Sequence, residues 1–215
     1  IGWCDWSSDV CSSDLIRQLN RVYAVLGAIN GLIVRVNDRD ELFQQACNIL
    51  VETGKFSKAW IGLTDEGINP MRIMAWAGAE EAFFNDLQNR LISNAEVTTG
   101  VLARLLKSGK PIVCNDIAND ATILEQKKML RSGSRSFSLL PLVINGRTTG
   151  VISIHSSIVG FFDEEEAALL LGLANDVAFA IDHLMKAERI SHLANHDALT
   201  GLPNRSLFSE LLTQK

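Results

Sequence analysis

The fold is decided by residues 137–156, which read FSLLPLVINGRTTGVISIHS. The apolar run Phe137–Ile144 predicts a strand, and Gly150–Ser156 predicts its partner. Between them lies Asn145-Gly146, the pair that a type I′ turn prefers because both of its central residues need a positive φ. The stretch therefore predicts an antiparallel β-hairpin.

The segments on either side of this hairpin carry helix and strand patterns in alternation. Apolar spacing predicts helices over 15–36, 38–54, 80–91, 98–107, 120–131 and 164–195, and strands over 58–65, 71–77 and 111–114. Asp163 precedes the last helix as its N-cap. Antiparallel neighbours with helices between them indicate an α+β domain built around one antiparallel sheet.

The composition is that of a globular protein. The 215 residues carry a net charge of −5, with 47% hydrophobic and 21% charged residues, and the pI is about 5.4. An acidic chain argues against nucleic-acid binding. No stretch approaches the roughly 18 uninterrupted apolar residues of a membrane span, so no membrane segment is predicted. The four cysteines form no CxxC pair and have no His at metal spacing, so we expect no metal site, free thiols and a cytoplasmic location.

The first fourteen residues have a different character. Residues 6–10 (WSSDV) and 11–15 (CSSDL) form a five-residue repeat, which matches neither the helix period nor the strand period. The segment resembles translated sequencing-adapter read-through. We therefore expect residues 1–14 to be a non-native or disordered tail.

Three further stretches resemble those of a GAF domain in their order and spacing. They are AWIGL (59–63), GKPIVCNDI (109–117), and LPL (140–142) with GVISI (150–154), and FFDEE (161–165) follows them. The resemblance covers about Leu42 to Leu184. It implies a six-stranded antiparallel sheet with helices on both faces, used as a small-molecule sensor or a dimerisation module. We assign residues 15–187 to this domain and 188–196 to a long C-terminal connector helix.

The decapeptide HDALTGLPNR (196–205) resembles the opening turn of a GGDEF domain. That family contains diguanylate cyclases, which make cyclic di-GMP from two GTP molecules. The resemblance implies that the turn joins the input helix to the catalytic domain without holding metal or phosphate. The matching residues are Asp197, Leu199, Thr200, Asn204 and Arg205. Residues 197–215 are then a truncated stub, so this chain is expected to be no enzyme, and the full-length protein a diguanylate cyclase.

An apolar stripe runs along the last helix. Its members are Val177, Ala180, Leu184, Ala187, Ile190 and Leu193. We expect the first part to dock on the domain and the rest to form a short seam of a homodimer made by the terminal helices. The alternative is that the whole stripe only covers the sheet.

The candidate ligand pocket is drawn from aromatic, thiol and polar residues. They are Trp76, Phe84, Cys114, Asp116, Ser138, Ser153 and His155. An unknown small molecule is the expected ligand, and no cofactor is predicted. Cys114 is read as a small buried hydrophobe and His155 as an interior histidine unless a ligand is found.

Three functions remain open from the sequence. The first is a sensory or regulatory GAF domain that controls a diguanylate cyclase through a dimeric connector helix. The second is a structural dimerisation spacer without a ligand. The third is a methionine sulfoxide reductase with Cys114 as nucleophile, which would need a resolving cysteine such as Cys47 close by.

Overall fold

The computed structural model of the protein describes residues 6–65, 68–92, 100–195, 202 and 204. The described residues form helices α1 (Trp6–Arg35), α2 (Arg39–Glu52), α3 (Glu81–Ile92), α4 (Val101–Ser108), α5 (Gln126–Arg131) and α6 (Glu164–Asn195). They form strands β1 (Lys58–Asp65), β2 (Ile68–Ala77), β3 (Ile112–Cys114), β4 (Ser136–Ile144) and β5 (Arg147–Ser156).

The strands build one sheet in the order β2-β1-β5-β4-β3, and each neighbouring pair is antiparallel. The predicted hairpin is β4–β5, in which Ile144 opposes Arg147 across the turn. Asn145 and Gly146 have φ values of 52° and 76°, the left-handed conformation that the turn requires. The α+β fold around a single antiparallel sheet is therefore confirmed.

The described residues contain five strands, whereas the sequence analysis expects six. Between β3 and α5 the chain forms turns, because side chains satisfy its backbone amides locally. Asp116 Oδ1 accepts a hydrogen bond from the Ala118 amide, and Asp120 Oδ1 accepts one from the Thr122 amide. Backbone groups bonded in this way do not pair with a neighbouring strand.

Helices cover both faces of the sheet, as predicted, and divide the core into two. The first core lies under α1, α2 and α6 and includes Leu140, Ile152 and Ile154. The second lies under α3 and α4, with α5 at its edge, and includes Phe137 and Val151. The split follows from the strand period, since successive side chains of β4 and β5 point to opposite faces.

Helix α1 begins earlier than the repeat pattern suggests. The prediction of no regular structure is wrong for residues 6–14, which are helical. No Pro or Gly interrupts this segment, and extending an existing helix adds one hydrogen bond for each residue fixed. Residues 1–5 lie outside the described residues, and the non-native origin of the tail stays a prediction.

A buried ion pair joins the two terminal helices. Glu166 in α6 is 1% exposed and accepts a hydrogen bond from the Arg21 guanidinium of α1. The same guanidinium lies 4.3 Å from the ring centroid of Phe161 and 5.1 Å from that of Phe56. Burial raises the pKa of Glu166 to about 7, although Arg21 opposes this change. The helix start is thus tied to α1 by a carboxylate that is costly to ionise.

The stripe on α6 changes character along the helix. Val177, Ala180 and Leu184 are buried in the domain, which is the predicted docking part. Ile190 and Leu193 are 68% and 58% exposed. The helix therefore continues beyond its own core, and the dimer seam at this end stays a prediction.

Helix α6 also has the length and apolarity of a membrane span. Its most apolar 18-residue window has a mean hydropathy of 1.4, and 39% of that window is buried in the domain. A core helix of a globular domain passes the same test, and α6 packs on β4 and α1.

Candidate functional site

A cavity of about 80 Å³ lies between the second core face of the sheet and helices α3, α4 and α5. One water needs about 10–15 Å³ on this scale, so the cavity has room for a small organic molecule. Its walls combine apolar and polar side chains. They are Trp60, Phe83, Leu87, Arg90, Gly100, Val101, Leu102, Ile123, Leu124, Glu125, Lys128, Met129, Phe137, Leu139, Ser153 and His155.

The polar wall of the cavity is a chain of three side chains centred on His155. The Ser134 hydroxyl lies 3.2 Å from His155 Nδ1, and the Ser153 hydroxyl lies 3.0 Å from Nε2. Ser153 and His155 share a face because they are two residues apart in β5. Both ring nitrogens thus have hydroxyl partners, which fix the orientation of the imidazole.

His155 is uncharged at neutral pH. Burial, together with the nearby positive charge of Lys58, lowers its pKa to about 3. A neutral imidazole has one N–H donor and one acceptor nitrogen. The Ser134–His155–Ser153 chain can therefore arrange its hydrogens so that the last hydroxyl donates into the cavity.

Lys58 lies beside this polar wall. It opposes His155 in the β1–β5 register and is 2% exposed. Its Nζ donates to the Ser132 carbonyl oxygen at 2.6 Å and to the Ser132 hydroxyl at 2.8 Å. Nζ also lies 4.8 Å from the centroid of the Phe83 ring. Burial lowers the pKa of Lys58 to about 8, so the side chain still carries its charge at neutral pH.

Charged residues of α3 and α5 surround the mouth of the cavity. Arg90 Nε lies 3.1 Å from Asp86 Oδ2, and Lys128 Nζ lies 3.8 Å from the same oxygen. Lys128 Nζ is also 3.7 Å from Glu125 Oε2. Of these pairs, Lys128–Asp86 connects α5 to α3, whereas the other two lie within one segment of the chain. Ion pairs this exposed add little stability.

Of the seven predicted pocket residues, Ser153 and His155 line the cavity, and five lie elsewhere. Trp76 and Phe84 stack on each other with ring centroids 5.3 Å apart, and Phe84 is buried in the second core. Both rings pack against apolar groups of the second core, so they act as core aromatics and do not line the cavity.

The remaining three predicted residues are placed away from the cavity by the backbone. Cys114 is buried in the second core, and Asp116 accepts hydrogen bonds within its own turn. Ser138 lies on the opposite face of β4, with Leu140 and Leu142. Its hydroxyl is buried without a hydrogen-bond partner among the described residues.

The predicted set of pocket residues does not include Lys58, and it leaves out Trp60 and Phe83, because aromatics at these positions are more often core than pocket residues. Lys58 opposes His155 and Trp60 opposes Ser153, so these pairs share a face once the β1–β5 register is known. The alternation Lys58-Ala59-Trp60 is visible in the sequence, but its pairing with residues more than 90 positions further along the chain is not. Phe83 is the neighbour of the predicted residue Phe84 in α3. Successive side chains of a helix point in different directions, so Phe83 lines the cavity whereas Phe84 is buried in the second core.

The two described buried thiols do not form a catalytic pair. Cys47 belongs to the first core and Cys114 to the second, so the sheet separates them. Burial raises the pKa of Cys47 to about 12 and that of Cys114 to about 11. A thiol of this kind is a weak nucleophile because the thiolate is the reactive form. This arrangement disfavours the reductase hypothesis.

Within the described ranges, no group of three or more His, Cys, Asp or Glu side chains could hold a metal ion. Four of the five entry-turn residues, Asp197, Leu199, Thr200 and Arg205, lie outside these ranges. The fifth, Asn204, contacts the end of α6. Its amide Nδ2 donates to the Ala194 carbonyl at 2.6 Å, and its backbone N–H donates to the Asn195 carbonyl at 2.9 Å.

The chain belongs to the GAF domain family, whose family model matches residues 36–182. The GAF domain is a sensory and regulatory fold. Comparison with curated proteins gives no match.

Solved structures share this fold. A free methionine-R-sulfoxide reductase from Neisseria meningitidis, solved with its substrate, is 20% identical with a TM-score of 0.63, covering 77% of this chain and 91% of that one. The GAF domain of a phosphoenolpyruvate-protein phosphotransferase from Coxiella burnetii is 16% identical with a TM-score of 0.64, covering 79% and 97%. A type II free methionine-R-sulfoxide reductase from Thermoplasma acidophilum is 17% identical with a TM-score of 0.52, covering 68% and 97%. At these identities the likeness concerns the fold.

Proposed function

We propose that this GAF domain is the sensory input of a diguanylate cyclase, and that it passes a ligand-dependent change through α6 to a C-terminal catalytic domain. The observation that carries the proposal is the course of α6. Its first part is anchored in the core by Val177 and Leu184, and its last turns extend beyond that core with Ile190 and Leu193 exposed. A helix that is anchored at one end and free at the other can transmit rotation or translation.

The resemblance of residues 196–205 to a GGDEF entry turn is the support for a diguanylate cyclase as the output domain. The contacts of Asn204 support this assignment, because its side chain and backbone amide both bond to carbonyls in the last turn of α6. Helix ends leave such carbonyls without intrahelical partners. Hydrogen bonds from Asn204 to these carbonyls fix its position at the end of α6, which a transmitting junction requires.

A homodimer through the terminal helices is the second part of the proposal. Each cyclase half-site holds one GTP, so two output domains must meet. Exposed apolar side chains on both terminal helices support this arrangement: Tyr23 and Val34 on α1, and Phe179, Ile190 and Leu193 on α6.

The proposal is tested by inserting residues into α6, which rotates the output domain about the helix axis relative to the GAF domain. Residues 1–205 are joined to the catalytic domain of a diguanylate cyclase whose own input domain has been removed, and cyclic di-GMP formation is measured. Two alanines inserted between Glu188 and Arg189 rotate the output by about 200°, whereas seven leave it about 20° from its original phase. We expect the two-residue insertion to change the rate at least several-fold and the seven-residue insertion to restore it. Equal rates for all three hybrids would refute transmission through α6.

Native mass spectrometry of the full chain, purified without added ligand, separates the sensor from the structural spacer. A mass above that of the bare chain supports the sensor. A dimer that stays empty, even with small molecules supplied, favours the spacer. A monomer contradicts the dimer seam.

A further inference from the structure

The walls of the cavity define the shape of what fits it. Trp60, Phe83, Phe137 and Leu139 provide flat apolar surfaces, and Ser153 provides a hydroxyl at the end of the His155 chain. Sites of this kind bind a mainly apolar ligand and orient it with a few polar groups. The occupant is therefore a small molecule with an apolar body and one polar end.

The charges around the cavity are not balanced. At the mouth, Arg90 and Lys128 each pair with a carboxylate, supplied by Asp86 and Glu125. Lys58 does not itself line the cavity, but it is buried beside the lining residues Phe83 and His155. Its ammonium group donates hydrogen bonds to two neutral oxygens of Ser132 and lies 4.8 Å from the Phe83 ring centroid. No carboxylate of the described residues lies within salt-bridge distance of it. One positive charge is therefore left over.

A buried charge without a counter-ion is unfavourable, and attraction to an opposite charge is stronger in the protein interior than in water. The C-terminal end of α5, which Ser132 caps, supplies only a partial negative charge. The uncharged His155 contributes no compensation. An anion in the cavity would supply it.

We propose that the cavity binds a small carboxylate monoanion with an aromatic or compact apolar body, and that Lys58 determines this preference for negative charge. The apolar body lies between Trp60 and Phe83. A proton on His155 Nε2 donates to Ser153 Oγ, and the Ser134 hydroxyl donates to Nδ1. The Ser153 hydroxyl is then free to donate to a carboxylate oxygen. This inference rests on the proposed sensory function, because it names the class of ligand for the same cavity.

Benzoate and benzamide test the proposal, since they have nearly the same shape and differ in charge. Binding of each to the full chain is measured by isothermal titration calorimetry at millimolar concentrations. We expect benzoate to bind at least about tenfold more tightly than benzamide, a ratio that corresponds to about 1.4 kcal/mol. The variant Lys58→Met should bring this ratio close to one. The matched control is Lys127→Met, which removes an exposed lysine from α5 and should preserve the ratio.

A pH series gives a second measurement that needs no variant. His155 is the titratable group that faces Lys58 across the register, and its pKa of about 3 keeps it uncharged throughout. Benzoate affinity should fall as the pH rises above about 8, where free Lys58 loses its proton, and benzamide affinity should not follow it.

Each other outcome overturns the inference. Equal affinities for acid and amide mean that the cavity binds ligands without regard to charge, and the sensory function survives. A ratio unchanged in Lys58→Met removes Lys58 from the site. Absence of binding by both probes rejects the ligand class, while the insertion experiment on α6, which uses no ligand, still decides the proposed transmission.

Discussion

Replacing Lys58 by Met should stabilise the protein at neutral pH, contrary to the usual effect of a core substitution. The pKa of the side chain is 10.5 in an unfolded chain and about 8 in the fold. One pKa unit equals about 1.4 kcal/mol, so burying the charged form costs about 3 kcal/mol. Met removes this cost and also removes two hydrogen bonds to Ser132. Each lost bond offsets about 0.5–1.5 kcal/mol, so the loss of both leaves an expected net gain of between about 0 and 2 kcal/mol.

The pH dependence fixes the sign of this effect. Below the pKa of the folded state, Lys58 is charged in both states and the free energy of unfolding is lowered by the full cost of burying the charge. This deficit disappears as the pH rises towards the pKa of the unfolded state, because the side chain is then neutral in both states. The gain from Lys58→Met should therefore be constant below about pH 8 and shrink towards pH 10.5. The assay is urea unfolding followed by circular dichroism at several pH values. Lys127→Met is the control, and it should change the free energy of unfolding by less than about 0.5 kcal/mol.

A clear loss of stability in Lys58→Met at neutral pH would refute the reasoning. It would mean that the ammonium group has a counter-charge in the free protein. The proposed preference for an anionic ligand would then lose its physical basis as well.

Four further predictions concern the sheet, the terminal helices and the thiols. Gly150→Ala should destabilise the protein by at least about 2 kcal/mol, because its Cβ would lie 2.5 Å from the Gly62 carbonyl oxygen. Gly172→Ala, with no atom within 4 Å of the new methyl, should stabilise α6 by about 0.5–1 kcal/mol in the same unfolding assay. Since the pKa of Glu166 is raised to about 7, its contribution to stability should fall as the pH rises from about 4.5 to 7. A difference in melting temperature between the wild type and Glu166→Gln that does not vary with pH would contradict this. In a variant whose two N-terminal cysteines are replaced by serine, the native thiols should react with Ellman's reagent only on unfolding, and rapid native labelling would disprove their burial.

Local signals in the sequence predicted the central hairpin and the start of the last helix. The Asn145-Gly146 turn fixed the hairpin, and Asp163 marked the start of α6, where it accepts a hydrogen bond from the Glu166 amide at 2.7 Å. Both depend on contacts within a few residues, which pattern reasoning captures well.

The site was only partly predictable because it depends on long-range pairing. Ser153 and His155 were found from the alternation of one strand. Ser138 was predicted to line the pocket but lies on the opposite face of β4, with Leu140 and Leu142. Which face of β4 meets the cavity depends on the helices that pack on each side of the sheet. No sequence motif around Lys58 indicates a functional role. Its position beside His155 follows only from the pairing of β1 with β5.

Strand β5 lies in the middle of the sheet, with Ser153 and His155 on the cavity side and Ile152 and Ile154 in the core beneath α6. A molecule held by the first pair would therefore be separated from the core under α6 by a single layer of backbone. Close-packed interiors pass small displacements on to their neighbours instead of absorbing them. Under the proposed function, communication would need no long relay of residues, and substitutions at Ile152 or Ile154 are expected to leave ligand affinity intact while uncoupling it from the output.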